Sequence, residues 1–133
     1  MKKLVVTLTI LVLPLILTAC IKKPITTSTN LIEEDDGKTV EIKTGNTFTV
    51  TLGGNITTGY AWEISDIDET YVIQQGEVES IYSNPGLVGA PETNIFTFRT
   101  LKEGNTKLKL KYWRSFEKHV PPIRTFNINI EIK

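Results

Sequence analysis

Few residues of this chain have a side chain that could carry out catalysis, and they do not cluster. A hydrolase needs a nucleophile and a base, with a third group that orients the base. The 133 residues contain one histidine, His119, and one cysteine, Cys20. A lone histidine in a loop with lysine and proline is usually a solvated surface residue. We therefore predict no catalytic residue and no enzyme activity, and a pair of carboxylates that converge in space remains the open alternative.

Sites for metals, cofactors or nucleic acids are not indicated either. No group of His, Cys, Asp and Glu has the spacing of a zinc site. Gly53-Gly54 does not open a helix, so it is not expected to hold a phosphate. The acidic run 33–36 has no regular ligand spacing and is interpreted as a solvated linker. With 15 basic and 15 acidic residues there is no basic patch. We predict no metal, no cofactor and no nucleic-acid partner.

The first 20 residues have the composition of an export signal. Lys2 and Lys3 precede the apolar segment 4–17, which is shorter than the roughly 20 residues of a membrane-spanning helix. The segment closes with Leu17-Thr18-Ala19-Cys20, which resembles a bacterial lipobox. We predict a lipoprotein signal peptide over residues 1–19 and a lipid on Cys20 that anchors the exported protein to the extracytoplasmic side of a cell membrane. An ordinary signal peptide or an uncleaved anchor helix is the alternative.

Removal of this signal leaves 114 residues, which suffice for one domain with one core. Residues 20–37 are rich in Lys, Pro, Thr, Ser and acidic side chains, which is typical of a flexible tether. The sequence thus predicts a tether over 20–37 and a single domain over 38–133. Thirteen basic and 15 acidic residues remain after this removal, which gives a net charge of about −2. We expect the protein to be a monomer.

From Lys38 onward the apolar residues recur with a period of two, which predicts strands. About seven short strands separated by turns favour an all-β, antiparallel, immunoglobulin-like sandwich, with a barrel as the alternative. Residues 107–112 are the clearest case, because three lysines alternate with Leu108, Leu110 and Tyr112. The predicted core contains Phe48, Val50, Trp62, Phe96, Phe98, Leu108, Leu110, Phe126 and Ile128.

Three connections, 52–60, 83–93 and 113–123, are expected at the same end of this sandwich because alternate connections share an end. The third contains Arg114 and Phe116, and the others contain small residues that permit close approach, a composition that is typical of binding loops. From the residues alone, a surface binding or adhesion module for a protein or glycan and a structural lipoprotein both remain open.

The first connection, Asn55-Ile56-Thr57-Thr58-Gly59-Tyr60 with the following Ala61-Trp62, resembles the Asn-Pro-Thr-Thr-Gly-Tyr-x-Trp loop of chagasin-like inhibitors of papain-like cysteine peptidases. Leu87-Val88-Gly89-Ala90 is similar to the start of the Gly-x-Gly-Gly loop of that family. Arg114-Ser115-Phe116 falls where the family carries Arg-Pro-Trp. The resemblance covers about 39–133, with departures at Ile56, Pro91, Glu92, Ser115 and Phe116.

This resemblance implies a reversible, non-covalent inhibitor whose three loops enter the active-site cleft of a papain-like peptidase. The first loop would cover the catalytic cysteine, and the others would grip the cleft walls. Ile56 gives up the fixed φ of a proline, and Glu92 would add a charge that the cleft must pair or leave at its rim. Tyr60 and Trp62 are expected mainly to support the loop from below. The residues assigned to peptidase binding are Asn55, Ile56, Thr57, Thr58, Gly59, Tyr60, Leu87, Val88, Gly89, Ala90, Arg114, Ser115 and Phe116.

Overall fold

Alternating side chains from two β-sheets meet in one hydrophobic core. The computed structural model describes residues 29–133. Two short 3-10 helices, Glu33–Asp35 and Ile56–Thr58, lie between strands. The strands are β1 (Thr29–Ile32), β2 (Thr39–Ile42), β3 (Thr47–Gly54), β4 (Ala61–Ile67), β5 (Val72–Gln74), β6 (Glu79–Tyr82), β7 (Glu92–Thr100), β8 (Gly104–Trp113) and β9 (Arg124–Ile132).

The first sheet has the order β1-β3-β7, with β5 and β6 both paired to β7, and the second has the order β2-β9-β8-β4. The prediction of an all-β sandwich is confirmed, and most pairings are antiparallel as expected. Two pairings differ, since β1 is parallel to β3 and β2 is parallel to β9. The reason is that the chain crosses from one sheet to the other between β1 and β2 instead of turning back in a hairpin.

The core follows from the period of two, because every second side chain of a strand faces the opposite sheet. Phe48 and Phe98 stack at 5.3 Å between ring centres in the first sheet. Trp62, which is 8% exposed, contributes from the second sheet. All nine predicted core residues are buried, namely Phe48, Val50, Trp62, Phe96, Phe98, Leu108, Leu110, Phe126 and Ile128.

The N-terminal boundary of the domain differs from the prediction. Residues 29–37, expected in the tether, belong to the fold: Leu31 is 3% exposed, and the Gly37 amide donates to the Asn127 carbonyl at 2.7 Å. Because β1 is an edge strand and buries only Leu31, its composition resembles that of a linker. The predicted signal peptide, Cys20 and the tether up to residue 28 lie outside the described residues. Within 29–133, no helix is long and apolar enough to cross a membrane.

The three long connections emerge at one end of the sandwich, as the alternation of connections predicted. β3, β6 and β8 all run toward this end, where Gly54 and Tyr82 both lie opposite Glu92 of β7. Thr29, the first described residue, lies beside Phe48 near the start of β3 and therefore toward the other end. We call the connections loop 1 (55–60), loop 2 (83–91) and loop 3 (114–123).

Candidate functional site

Loop 1 is held in shape by its own polar side chains. Asn55 caps the single 3-10 turn, and its Oδ1 accepts hydrogen bonds from the Thr57 amide at 3.1 Å and the Thr57 hydroxyl at 2.5 Å. The Thr58 hydroxyl donates to the Asn55 carbonyl at 2.6 Å. Gly59 ends the turn with φ of +80°, a left-handed conformation that favours glycine. The tip therefore has a defined backbone conformation.

Loops 1 and 2 are joined by a side chain that also caps loop 1. The Asn55 Nδ2 donates to the Gly89 carbonyl at 3.0 Å. Loop 2 is closed at its base, where the Ser83 amide and hydroxyl both donate to the Pro91 carbonyl, at 3.0 and 2.9 Å. One residue of the first motif thus positions the second loop.

Loops 1 and 3 are joined through Arg114. Its Nε donates to the Thr58 carbonyl at 3.0 Å, and its Nη1 pairs with Glu117 at 3.2 Å. The Phe116 ring lies over Gly59, where a Cβ would come within 3.2 Å of it. A side chain at position 59 would therefore be strained by its φ and would also displace Phe116.

A ladder of stacked side chains supports the loops from below. The guanidinium of Arg114 covers Tyr60, Tyr60 stacks on Tyr112 at 5.5 Å, and Tyr112 contacts Trp62 at 5.2 Å. Arg124 lies over both Trp62 and Tyr112, at 5.1 and 5.3 Å from their ring centres. Arginine over an aromatic face is an attractive arrangement that also excludes water. The ladder links the core of the second sheet to the loop surface.

The last two residues of β3, Gly53 and Gly54, form the stem of loop 1. Two hydrogen bonds tie this stem and the start of loop 1 to the ladder. The Asn55 amide donates to the Tyr112 hydroxyl at 2.8 Å, and the Trp62 indole N–H donates to the Gly53 carbonyl at 2.9 Å. Both aromatic residues are buried, and their polar atoms are satisfied by backbone groups of loop 1 and of the end of β3. This confirms the expectation that Trp62 supports the loop and lies in the core.

The outer surface of the three loops is largely apolar and small-polar, and Lys118 and His119 of loop 3 are also exposed. Phe116 is 68% exposed and Val88 is 89% exposed. Between loops 1 and 2 lies an open groove of about 360 Å³, and an exposed apolar surface of this kind commonly marks a binding site. The exposed residues among those assigned to peptidase binding are Ile56, Thr57, Thr58, Gly59, Leu87, Val88, Gly89, Ser115 and Phe116.

Other residues assigned to binding serve to build the loops. The Asn55 side chain is engaged within the loops, Tyr60 lies beneath Arg114, and Ala90 is buried at the floor of the groove. Arg114 is about one-third exposed and reaches both the surface and the ladder. The structure thus separates an exposed layer from a supporting layer within the predicted set.

The expectation for Glu92 is wrong. Glu92 is 5% exposed at the first position of β7, not in the loop. Its Oε1 accepts a hydrogen bond from Asn94 Nδ2 at 3.5 Å, and its Oε2 has no hydrogen-bond partner among the described residues. Register explains this burial, because Glu92, Asn94 and Phe96 share the inward face of β7. The Glu92 side chain therefore does not project from loop 2 toward a cleft.

Three residues that support the site were not predicted from the sequence to do so, namely Tyr112, Arg124 and Glu33. The alternation contained a signal for two of them. Tyr112 is in phase with Leu110, and Arg124 is in phase with Phe126, so both point inward at the loop end of the second sheet. An inward arginine at a strand end needs partners, which the aromatic ladder supplies. Glu33 had no such signal, since it was assigned to the tether.

The electrostatics of the stem are set by Glu33 and Arg124. Glu33 Oε1 lies 2.5 Å from Arg124 Nη2 and accepts a hydrogen bond from the Gly53 amide at 2.9 Å. Burial by itself would raise the pKa of Glu33, but the hydrogen bonds from Arg124 and Gly53 and the charge of Arg124 together lower this pKa below its ordinary value. Glu33 is thus held in its ionised form.

The loop end offers contact surface and no catalytic group. His119 is exposed, and within residues 29–133 no three His, Cys, Asp or Glu side chains are grouped as a metal site would require. Three loops joined by hydrogen bonds form a projecting surface, whose ordering cost on binding is low because its shape is already set. Such a surface suits insertion into a cleft of another protein.

Comparisons with known proteins agree with this geometry. The family described as chagasin family peptidase inhibitor I42 matches residues 41–130. Amoebiasin-2 from Entamoeba histolytica is 31% identical over 103 residues, which are 77% of this chain and 84% of that protein. The crystal structure of the cysteine protease inhibitor EhICP2 from Entamoeba histolytica has a TM-score of 0.70 at 29% identity, covering 79% of this chain and 95% of that one. The solution structure of Amebosin, with a TM-score of 0.65 at 24% identity, covers 80% of this chain and 98% of that one and shares the fold.

Proposed function

This chain belongs to the chagasin family of peptidase inhibitors, and we propose that it inhibits papain-like cysteine peptidases by occluding their active-site cleft with loops 1, 2 and 3. The family match confirms the prediction of an inhibitor rather than an enzyme. The relative of known structure described above is itself a cysteine protease inhibitor, which supports the same target class here.

The observation that carries the proposal is the joining of the three loops into one surface. Asn55 connects loop 1 to Gly89 of loop 2, and Arg114 of loop 3 connects to Thr58 of loop 1. These bonds place the exposed tips side by side. A surface formed in advance loses little conformational entropy on binding, which is how a small domain can bind tightly without a covalent bond.

The departures from the family motifs are compatible with this mode of binding. Ile56 lacks the fixed φ of proline, but the Asn55 cap and the ladder under Tyr60 restrain the loop instead. Phe116 keeps an exposed aromatic side chain beside Gly59. We propose that Ile56, Thr57 and Thr58 meet the catalytic cysteine of the peptidase, while Val88 and Phe116 contact the two cleft walls.

A competition assay tests this function. The full chain, purified in detergent, is mixed with papain, and hydrolysis of a small substrate is followed. We expect reversible inhibition that is competitive with substrate, and weaker binding to papain whose active-site cysteine carries a bulky covalent reagent. Equal binding to free and blocked papain, or no inhibition of any papain-like peptidase, would contradict occlusion of the cleft.

We also propose that the protein acts as an exported monomer anchored by a lipid on Cys20. The sequence Leu17-Thr18-Ala19-Cys20 supports the anchor. The position of Thr29 supports it as well, because an anchor that enters the domain near the start of β3 leaves the loops free at the other end. A bound peptidase of about 200 residues, some 40 Å across, then has room away from the membrane.

A further inference from the structure

Glu33 lies outside residues 41–130, where the family match falls, and yet it contacts the stem of loop 1. It occupies the 3-10 turn that follows β1. Its Oε1 accepts hydrogen bonds from two donors that are distant in sequence, the Gly53 amide at 2.9 Å and Arg124 Nη2 at 2.5 Å. The segment before the matched region therefore takes part in building the loop end.

The contact completes a hydrogen-bonding pattern that β1 leaves open. The pairing of β1 with β3 ends at Ile32 and Thr51, so the Gly53 amide lies beyond the last residue of the edge strand. The Glu33 carboxylate takes the place of the missing strand partner. The Gly53 carbonyl accepts from Arg124 Nη1 at 3.0 Å and from the Trp62 indole at 2.9 Å. Side chains thus hold both polar groups of the Gly53 backbone.

Gly53 is separated from the Asn55 cap by a single residue, Gly54. Two successive glycines widen the conformational freedom of this stem, and their pairing with Thr93 and Glu92 of β7 restrains it along one edge only. A Cβ at position 53 would come within 3.3 Å of Glu33 Oε1, which shows how closely the carboxylate approaches the backbone. Restraint at Gly53 therefore limits the directions in which loop 1 can leave β3.

We propose that Glu33 is a positioning residue for inhibition, which holds the stem of loop 1 through Gly53 and Arg124 without touching the peptidase. This inference rests on the proposed insertion of loop 1 into a peptidase cleft. Loss of the Glu33 charge would weaken binding because more of the loop must be ordered in the complex.

The charges around Glu33 give the inference a pH signature. Arg124 faces it from β9, Gly53 of β3 brings no charge, and Asp36 lines the same surface depression. Asp36 accepts a hydrogen bond from the Asn127 amide at 2.7 Å. The net effect of Arg124 and Gly53 lowers the pKa of Glu33. The restraint is therefore complete above the ordinary glutamate pKa and is lost as the pH falls through the lowered value.

The test compares Glu33→Gln with the unaltered full chain in detergent. Binding is measured to a papain variant with alanine in place of its catalytic cysteine, from about pH 7 to about pH 3, which spans the ordinary glutamate pKa of about 4.3. The range is limited to conditions in which circular dichroism shows both chains folded. At each pH the dissociation constant of the variant is divided by that of the unaltered chain, so that any pH dependence of the peptidase itself cancels in the ratio. Glu34→Gln, a change in an exposed neighbouring carboxylate, is the matched control.

We expect Glu33→Gln to weaken binding roughly three- to tenfold at neutral pH, and the ratio of the variant's dissociation constant to that of the unaltered chain to fall toward one as the pH drops below the ordinary glutamate pKa. Glu34→Gln should give a ratio near one throughout. A Glu33→Gln ratio of one at neutral pH would overturn the inference, and so would a ratio above one that does not change with pH.

Hydrogen exchange of the Gly53 amide separates this inference from the proposed function. Exchange should be faster in Glu33→Gln than in Glu34→Gln, because the acceptor of this amide is weakened. If the unaltered chain bound no papain-like peptidase, the proposed function would fail, and the restraint would be judged by exchange alone. Unchanged Gly53 exchange in Glu33→Gln would overturn the inference in either case.

Discussion

Arg114 lies over the ring of Tyr60, with its guanidinium carbon 4.4 Å from the ring centre. The same side chain donates through Nε to the carbonyl of Thr58 at 3.0 Å. Arg114 therefore attaches loop 3 both to the backbone of loop 1 and to the Tyr60 ring, which supports loop 1 from below. The loop end forms one surface because a residue of one loop forms part of the structure of another.

Replacement of Arg114 by alanine should weaken inhibition by about 1–3 kcal/mol. The substitution removes the hydrogen bond to Thr58 and the cover over Tyr60, so loops 1 and 3 would have to be ordered again on binding. The inhibition constant against papain measures the effect. Arg99→Ala, an exposed arginine toward the other end of the sandwich, is the matched control and should leave inhibition unchanged. Equal losses from both substitutions would contradict the role of Arg114.

A bulky charge at the tip of loop 1 should weaken inhibition without unfolding the domain. Thr57 and Thr58 are exposed, so Thr57→Arg or Thr58→Arg would place a long cation where the loop enters the cleft. We expect at least a tenfold rise in the inhibition constant, about 1.4 kcal/mol, with little change in melting temperature. Thr44→Arg, in the exposed turn before β3, provides the control. If the three variants inhibit papain equally well, loop 1 does not enter the cleft.

The two tryptophans should differ strongly in their contribution to stability. Trp62 is buried in the core, and its indole N–H donates a hydrogen bond to the Gly53 carbonyl. Trp113 is half-buried, its indole N–H donates to the Glu63 carboxylate, and the Lys111 ammonium group lies over its ring. Trp62→Ala should reduce the free energy of unfolding by about 3–5 kcal/mol, as large core truncations do. Urea unfolding measures both variants. A cost for Trp113→Ala as large as that for Trp62→Ala would show that the core is wrongly assigned.

Removal of residues 29–37 should destabilise the domain. A chain that begins at Lys38 lacks β1, the buried Leu31 side chain and Glu33, so we expect a loss of about 2 kcal/mol or more in the free energy of unfolding. A chain that begins at Thr29 retains these contacts and is the control. The two chains are compared by urea unfolding. Identical stability would mean that β1 is dispensable.

Membrane attachment should depend on Cys20. If this residue carries the lipid, Cys20→Ala should abolish processing after Ala19 and release the domain from the membrane fraction or leave its precursor there. Stable attachment should require more than one acyl chain, because a single chain binds only marginally. Fractionation and mass measurement of the mature N-terminus provide the readout, with Thr18→Ser as a mild control. Unchanged processing and attachment in Cys20→Ala would exclude lipidation at this site.

The alternation of apolar and polar residues along each strand could be predicted from the sequence alone, because it is a local property of the chain. Alternation placed Phe48, Phe98, Leu110 and Phe126 on inward faces, and all four are buried. The order of connections likewise placed loops 1, 2 and 3 at one end, since the chain alternates in direction from β3 to β8 if β5 and β6, which run the same way, are counted as one strand. The chagasin resemblance rested chiefly on loop 1, and the family match confirms it.

The pairing of strands, the burial of Glu92 and the contacts between distant residues depend on the tertiary structure, because no local pattern in the sequence encodes them. β1 buries only Leu31, so no periodicity distinguished it from a linker, and its parallel pairing with β3 appeared only in the assembled sheet. Glu92 is buried because the register of β7 against β3 and β6 places it inward. The contact between Glu33 and Arg124 joins the two sheets across the fold. Sequence determines which way a side chain points along its own strand, whereas its partners depend on how distant strands are packed together.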